Sequence, residues 1–223
     1  MLIKEFMTTK LVSVTSEETI VRVARLMYVH KVRRLPVVDD GELVGIIGDR
    51  AISAALPSAA TMISPREMSD TLSNIKVREI MHKDVITVTP DTTAESALDI
   101  AQEYKVGCLV VVGEKSQPVG IVTTNDFIYR ILNPLLGLRK PGVRLHIRDC
   151  GKIGQIREVA AMVEKQNLEL EALHVDDSVE TGKRDLIVQV VTKKPAPLID
   201  DLTSQGYQVE IRKRKSWPLP DEK

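Results

Sequence analysis

The sequence predicts an α+β chain in two parts: an internally repeated N-terminal domain and a smaller βαββαβ domain behind it. Three observations carry this. A succession of extended segment, amphipathic helix and two short strands occurs twice within the first 130 residues. A break follows the second copy, Asn133-Pro134 and then Gly137-Leu138-Arg139-Lys140-Pro141-Gly142, rich in residues that interrupt regular structure. Beyond the break the apolar period alternates between two and 3.6 residues, the signatures of strand and helix.

The repeat is read from aligned motifs, since self-similarity at a fixed period reports a duplicated unit. Residues 6–16, FMTTKLVSVTS, match residues 80–90, IMHKDVITVTP, with Met7 on Met81 at an offset of 74. The same offset places Ile20, Val23, Ala24 and Met27 on Ala94, Ala97, Leu98 and Ala101. Both sets have i, i+3, i+4, i+7 spacing, which puts them on one face of a helix. HKVRRLPVVDDGELVGII then matches YKVGCLVVVGEKSQPVGIV, and one extra loop residue moves the offset to 75 between Gly45 and Gly120.

Each copy predicts an extended segment (Val12–Thr15, Val85–Thr89) and a polar helix start, with Asp91 or Thr92 as the second N-cap. A helix runs to about His30 or Tyr104. Two strands follow, Leu35–Val38 with Leu43–Ile47 and Leu109–Val112 with Val119–Val122, and a second helix begins near Asp49 or Asn125. One such unit leaves two apolar faces uncovered, so the copies should pair into one pseudo-symmetric domain.

In the C-terminal part Val143–Arg148 alternates strictly, and Ile153, Ile156, Val159, Ala160 and Val163 are helix-spaced. Ala172–Val175 and Leu186–Val191 read as strands around a turn at Glu180–Lys183. Pro197–Gln205 reads as a short helix stopped by Gly206, and Tyr207–Ile211 as the last strand. The expected limits are a repeated domain over 1–135 (copies at about 1–56 and 75–133), a linker at 136–142, a second domain over 143–213 and a polar tail at 214–223. The βαββαβ order is that of the ferredoxin-like sandwich.

Composition narrows the function. Basic and acidic residues balance at 31 each, whereas binding through nucleic-acid phosphates favours a basic excess. The run Arg212-Lys213-Arg214-Lys215 reads as a solvated strand end, and aromatic residues, at 3%, are too few for a base-stacking platform. The apolar runs are far short of the about 20 residues of a membrane helix, and MLIKEFMTTK lacks a signal-peptide core, so no membrane and a cytoplasmic location are expected. Cys108, in an apolar strand pattern, reads as a buried thiol, and Cys150 and the four histidines share no metal-ligand spacing. No nucleophile–base pair or phosphate-cradling glycine loop stands out, so the expectation is not an enzyme, with no cofactor.

The stretch His30-Lys31-Val32-Arg33-Arg34-Leu35-Pro36-Val37-Val38-Asp39 and the stretch Gly120-Ile121-Val122-Thr123-Thr124-Asn125-Asp126 resemble the signatures of CBS domains. The resemblance covers both copies, and it implies a tandem pair (a Bateman module) whose two clefts often hold adenosine-type ligands.

In that context Thr123, Asn125 and Asp126 are the candidate ligand residues of the second copy. An ionised aspartate only accepts hydrogen bonds and suits both hydroxyls of a ribose. A threonine and helix-start N–H groups suit a phosphate. The plainer alternative is that Thr123 caps the helix and Asp126 is a favourable first-turn charge. The first copy reads Gly45-Ile46-Ile47-Gly48-Asp49-Arg50-Ala51, with Gly48 for the threonine and Ala51 for the aspartate, so one competent site per chain is expected.

The resemblance further implies that Thr123 and Asp126 share their cleft with Lys10, Leu11, Val32, Arg33 and Arg34 of the first copy. Leu11 and Val32 would flank the base, and Arg33 or Arg34 would meet phosphate, whose oxygens match a guanidinium fork. Gly107 and Cys108, their second-copy counterparts, are uncharged.

The C-terminal part resembles an ACT domain, with Asp149, Gly151 and Ile153 in the ligand turn, although Asp149-Cys150-Gly151-Lys152-Ile153 is shorter than the usual one. ACT-like domains often pair edge strands, which implies a homodimer. The whole order resembles the acetoin-utilisation regulatory protein family. The implied function is a nucleotide sensor, for AMP, ADP, ATP or a related adenosyl ligand, acting on an enzyme target. The alternative is a pure dimerisation or assembly module with vestigial sites.

Overall fold

The structure, a computed structural model, describes residues 1–55, 74–138, 140–178 and 182–212. Most of the segment between the copies, Arg139 of the linker, Glu180 and Thr181 of the expected turn, and the basic run and polar tail beyond Arg212 lie outside these. The chain divides into two compact units, Met1–Phe127 and Ile128–Lys223. The division precedes the expected 136–142 linker because residues 128–135 group with the C-terminal unit.

The N-terminal unit contains α1 (Ile20–His30), the hairpin β1 (Arg34–Asp39) and β2 (Glu42–Gly48), and α2 (Asp49–Ala55). The second copy follows with α3 (Val77–Ile80), β3 (Thr87–Val88), α4 (Ala94–Glu103), β4 (Cys108–Val112), β5 (Pro118–Thr123) and α5 (Thr124–Asp126). The duplication holds in detail. α1 and α4 bury Ile20, Val23 and Met27 or Ala94 and Ala97, as their spacing predicts, whereas Ala24 and Leu98 of the same sets are exposed. Lys31 and Lys105, just past the two helices, both take positive φ, at 54° and 53°. Both antiparallel hairpins shift register at equivalent places, Val37/Val38 and Val111/Val112. Asp40 and Gly41 both have positive φ, the requirement of a two-residue turn that follows strand twist.

The predicted N-cap of α4 needs correction. Thr93, not Asp91 or Thr92, accepts from the Ser96 N–H at 3.2 Å, as Thr19 does at the start of α1. Thr92 is engaged one step earlier, where its Oγ1 accepts from the Thr89 N–H at 3.1 Å, and Asp91 pairs with Lys4. The expected Val12–Thr15 strand reduces to one parallel bridge, Val14 to Val37, whereas Thr87–Val88 forms a short parallel strand on β4.

The copies are joined by exchange. The segment leading the first copy pairs with the second strand of the second, and the reverse. Thr8 and Ile121 exchange backbone hydrogen bonds of 2.9 and 3.1 Å, and His82 and Ile46 exchange two of 2.9 Å. The aligned methionines explain their place here: a Cβ on Gly120 would lie 2.8 Å from Met7 Sδ, and one on Gly45 2.7 Å from Met81 Sδ. The glycines let each thioether rest on the opposite strand.

The C-terminal unit carries a π-helical turn (Phe127–Leu132, begun in the first unit), α6 (Asn133–Leu135), β6 (Val143–Arg148), α7 (Ile153–Lys165), β7 (Glu169–Asp177), β8 (Arg184–Val191), α8 (Ala196–Ser204) and β9 (Gln208–Ile211). From β6 onward this is the βαββαβ order, and the four strands lie in the order β7-β8-β6-β9 with every neighbour antiparallel. Leu145, Ile147, Leu186, Val188 and Val190 meet α7 and α8 residues such as Val159, Val163, Leu198 and Leu202 in one core. The exposed-by-pattern positions are not all exposed. His146 and Asp185 are buried with Nε2 2.8 Å from Oδ2, and Gln189 is 1% exposed.

Candidate functional site

β5 ends at Thr123, whose extended backbone (φ −123°, ψ 164°) turns directly into α5. Asp126 Oδ2 accepts from the Thr123 N–H at 2.9 Å and from the Thr123 hydroxyl at 2.7 Å. The four-residue spacing therefore folds back on itself. The plain capping role is present, and it also fixes the half-buried carboxylate at the strand-to-helix junction. Next in line, Phe127 packs its ring edge-on to Phe6, with centroids 5.4 Å apart, which ties the start of this helix to the N-terminal segment. Asn125 is exposed on the same turn.

Thr123 pairs with Cys108 across the hairpin, and the Thr124 N–H and hydroxyl both donate to the Gly107 carbonyl, at 3.2 and 3.3 Å. Arg34 reaches this place from the first copy. Its guanidinium atoms lie 3.2–3.5 Å from where a Gly107 Cβ would be, so the absent side chain is what seats it. Burial pushes the Cys108 thiol up, and the nearby Arg34 charge opposes that.

The other predicted residues are placed as follows. Lys10 (exposed) and Leu11 (half-buried) lie on the connection between the Thr8–Ile121 bridge and the Val14–Val37 bridge. Val32 packs against the first-copy core and, with Arg33, lines a depression of about 470 Å³ together with Tyr28 of α1. The Arg33 carbonyl accepts from the Asp49 N–H at 3.0 Å, beside its own copy's helix start. Arg34 lines a different depression, of about 330 Å³, with residues 82–86, 105–108 and Ile46. Arg33 and Arg34 thus face different depressions, which their adjacency in sequence conceals.

At the first-copy junction Asp49 Oδ1 accepts from the next residue's N–H, that of Arg50, at 2.8 Å. Ala51, where the second copy has Asp126, offers no side-chain acceptor.

In the C-terminal unit Asp149 has φ 55° and donates its N–H to Asp185 Oδ1 at 2.8 Å. That backbone hydrogen bond, with His146 adding to it, holds the Asp185 carboxyl below its ordinary range. Asp149 lines a polar pocket of about 550 Å³ with Arg148, Glu158, Lys183, Asp185 and Tyr207. Burial, and then the 2.5 Å contact with Glu158, push the Tyr207 hydroxyl up to about 12. Gly151 serves packing, since a Cβ there would lie 2.2 Å from Arg184 Cβ. Ile153, 85% exposed, opens α7. Glu158 and Tyr207 were missed in the sequence because they lie 49 residues apart and meet only through the fold. Among the described residues no His/Cys/Asp/Glu group could hold a metal, and no helix is long and apolar enough to cross a membrane.

This arrangement of duplicated strand–helix units is that of a CBS pair. The CBS domain family matches residues 3–58 and 77–133, and the chain belongs to it. The CBS domain pair of protein MJ0100, solved with 5′-methylthioadenosine and S-adenosyl-L-methionine, is 28% identical (TM-score 0.50), over 60% of this chain and 96% of that one. CBSX2 in complex with AMP is 25% identical (TM-score 0.50), over 59% and 97%. An acetoin utilization protein (AcuB) structure from Vibrio cholerae is 29% identical (TM-score 0.51), over 62% and 95%. The first curated relatives are matched over only 24–45% of their own length.

Proposed function

We propose that this protein is a non-catalytic regulator that binds an adenine nucleotide, or a related adenosyl ligand, in the cleft headed by Asp126. The single observation that carries this is the Asp126 carboxylate fixed by Thr123 at the end of β5, in a family whose members with similar pairs are seen with AMP or S-adenosyl-L-methionine. Thr123, Asn125 and Asp126 hold ribose and phosphate, Leu11 and Val32 flank the base, and Lys10 and Arg33 supply cationic charge, whereas Arg34, expected here from the sequence, lines the other depression. No cofactor is needed. The C-terminal βαββαβ unit is a ferredoxin-like, ACT-type domain that receives the signal, pairs with a second copy and acts on an enzyme target of acetoin utilisation in the cytoplasm. In that domain Asp149 marks the ligand turn. Such a relay requires a ligand with different affinity for two states.

The second reading is an assembly module. The observation favouring it is that the Asp126 carboxylate already has a structural use in capping its own helix. Calorimetric titration with AMP, ATP and S-adenosylmethionine separates the two. The proposal expects a dissociation constant of roughly 1–50 μM for at least one of them. Asp126→Asn keeps the shape and removes the charge, and should weaken binding about tenfold or more, while Asp49→Ala leaves it unchanged. No heat with any of the three supports the assembly module instead.

A further inference from the structure

The groove beside β7, an outer strand of the C-terminal sheet, is apolar and open. Val159, Ala160 and Val163 of α7 line it with Leu168, Leu170 and Leu173, and its volume is about 240 Å³. Leu170 is 46% exposed, at the bulge where β7 shifts register against β8. Two carboxylates flank the groove. Glu164 lines it, and Glu169 lies exposed between Leu168 and Leu170. Among the described residues neither pairs with a cation, whereas Glu171 is held by Lys140 at 3.3 Å.

An occupant must therefore offer an apolar side chain with cations beside it. The chain carries that pattern directly after its last described residue. Arg212 is followed by Lys213-Arg214-Lys215-Ser216-Trp217-Pro218-Leu219-Pro220, which holds the single tryptophan of the sequence. The prolines after Trp217 and Leu219 bias both residues against helix. Sheet register brings the two features together. Ile211, Leu145, Val188 and Leu173 are successive cross-strand partners, so β9 ends level with the groove. It ends three strand spacings away, about 14 Å. Residues 213–217 reach about 17 Å when extended. The β7 of a second copy is a poor occupant of this edge, because pairing centred on Leu173 would set Glu169 against Asp177.

We infer that the segment 213–219 docks back onto its own domain, with Trp217 in the groove and the basic run against Glu164 and Glu169. Exposed ion pairs contribute little, so the ring supplies most of the hold and the charges set its direction. A short tether gives a millimolar effective concentration, so a contact that would be weak between separate molecules suffices. This docking goes beyond the proposed function and does not depend on it, since no ligand takes part.

The test is acrylamide quenching of Trp217 fluorescence in the full chain, with N-acetyltryptophanamide as the freely exposed reference. A pocket that covers about 70–90% of the ring should slow quenching about threefold to tenfold. The protection should not change over about a hundredfold range of protein concentration, because the tether is internal. Ala160→Lys puts a charge into the groove from an exposed helical position that accepts lysine, and should return quenching to the reference rate. Lys213→Glu with Lys215→Glu, beyond the last strand, should speed quenching about twofold or more, and adding Glu164→Lys with Glu169→Lys to that chain should slow it again. Wild-type quenching as fast as the reference overturns the inference. So does slow quenching that Ala160→Lys leaves unchanged, since Trp217 is then seated elsewhere. Protection that appears only as protein concentration rises also overturns it, because the occupant is then the segment of a second copy.

Discussion

Gly120→Val is expected to destabilise the N-terminal unit by about 2–4 kcal/mol, the upper range for forcing bulk into a packed contact. The reason lies in the exchange that joins the two copies. Any Cβ at this position meets Met7 Sδ at 2.8 Å and the Thr8 carbonyl at 3.1 Å. The thioether can move, but the carbonyl is held by the Ile121 N–H. Relief therefore means pulling the leading segment of one copy off the strand of the other. Gly45→Val should act alike, through Met81 and the His82 carbonyl. Urea unfolding measures the loss. A double-mutant cycle tests the cause: Met7→Ala should recover part of the cost of Gly120→Ala but not all of it, because the carbonyl contact remains. Additive costs would show that Met7 is not the obstacle.

Gln189→Leu is the second large effect, at about 2–4 kcal/mol, because it leaves several buried partners unsatisfied. Gln189 Nε2 lies 3.1, 3.3 and 3.0 Å from the carbonyls of Gly137, Lys140 and Pro141, and its Oε1 accepts from Arg144 at 3.0 Å. Arg144 in turn donates to the Leu136 carbonyl. One amide thus clasps the segment between α6 and β6 onto the sheet. Gly137 makes room for it with φ 60°, and a Cβ there would sit 2.7 Å from the amide oxygen. Gln189→Glu keeps the acceptor for Arg144 but cannot donate to the carbonyls when ionised, so it should cost nearly as much. A loss below about 1 kcal/mol for both variants would contradict the clasp.

The difference between Gln189 and Asp126 shows what was legible in the sequence. Helices and strands were, because apolar spacing is local: Ile20, Val23 and Met27 went inside as the period required. The Thr123–Asp126 pair was legible for the same reason, since both partners lie within one turn. The strand pattern that contains Gln189, by contrast, assigns its polar positions to solvent. His146 in Val143–Arg148 is misled likewise: it is 5% exposed, with Asp185 of β8 and Arg212, just past β9, against its two ring nitrogens. Arg34 combines both cases. Its charge was readable, but its seat depends on the missing side chain at Gly107, far along the chain. The cap at Thr93 was missed by a position because three candidates stand side by side, and only the contacts of Asp91 and Thr92 show that those two are occupied elsewhere.

Capture of an adenosyl ligand by the Asp126 carboxylate is the step on which the proposed regulation depends. It is tested most directly by the ligand-dependent shift in thermal unfolding of wild type and Asp126→Asn, each compared with its own ligand-free midpoint. That comparison is needed because Asp126 also caps its helix, so the substitution lowers stability by itself. At about 100 times its dissociation constant, a ligand adds about 2.7 kcal/mol. In a chain of this length that amounts to a rise of roughly 5–10 °C. If Asp126 holds the ligand, the wild type shows this rise with AMP, ATP or S-adenosylmethionine, and Asp126→Asn at most a small fraction of it. An equal rise in both proteins would contradict it.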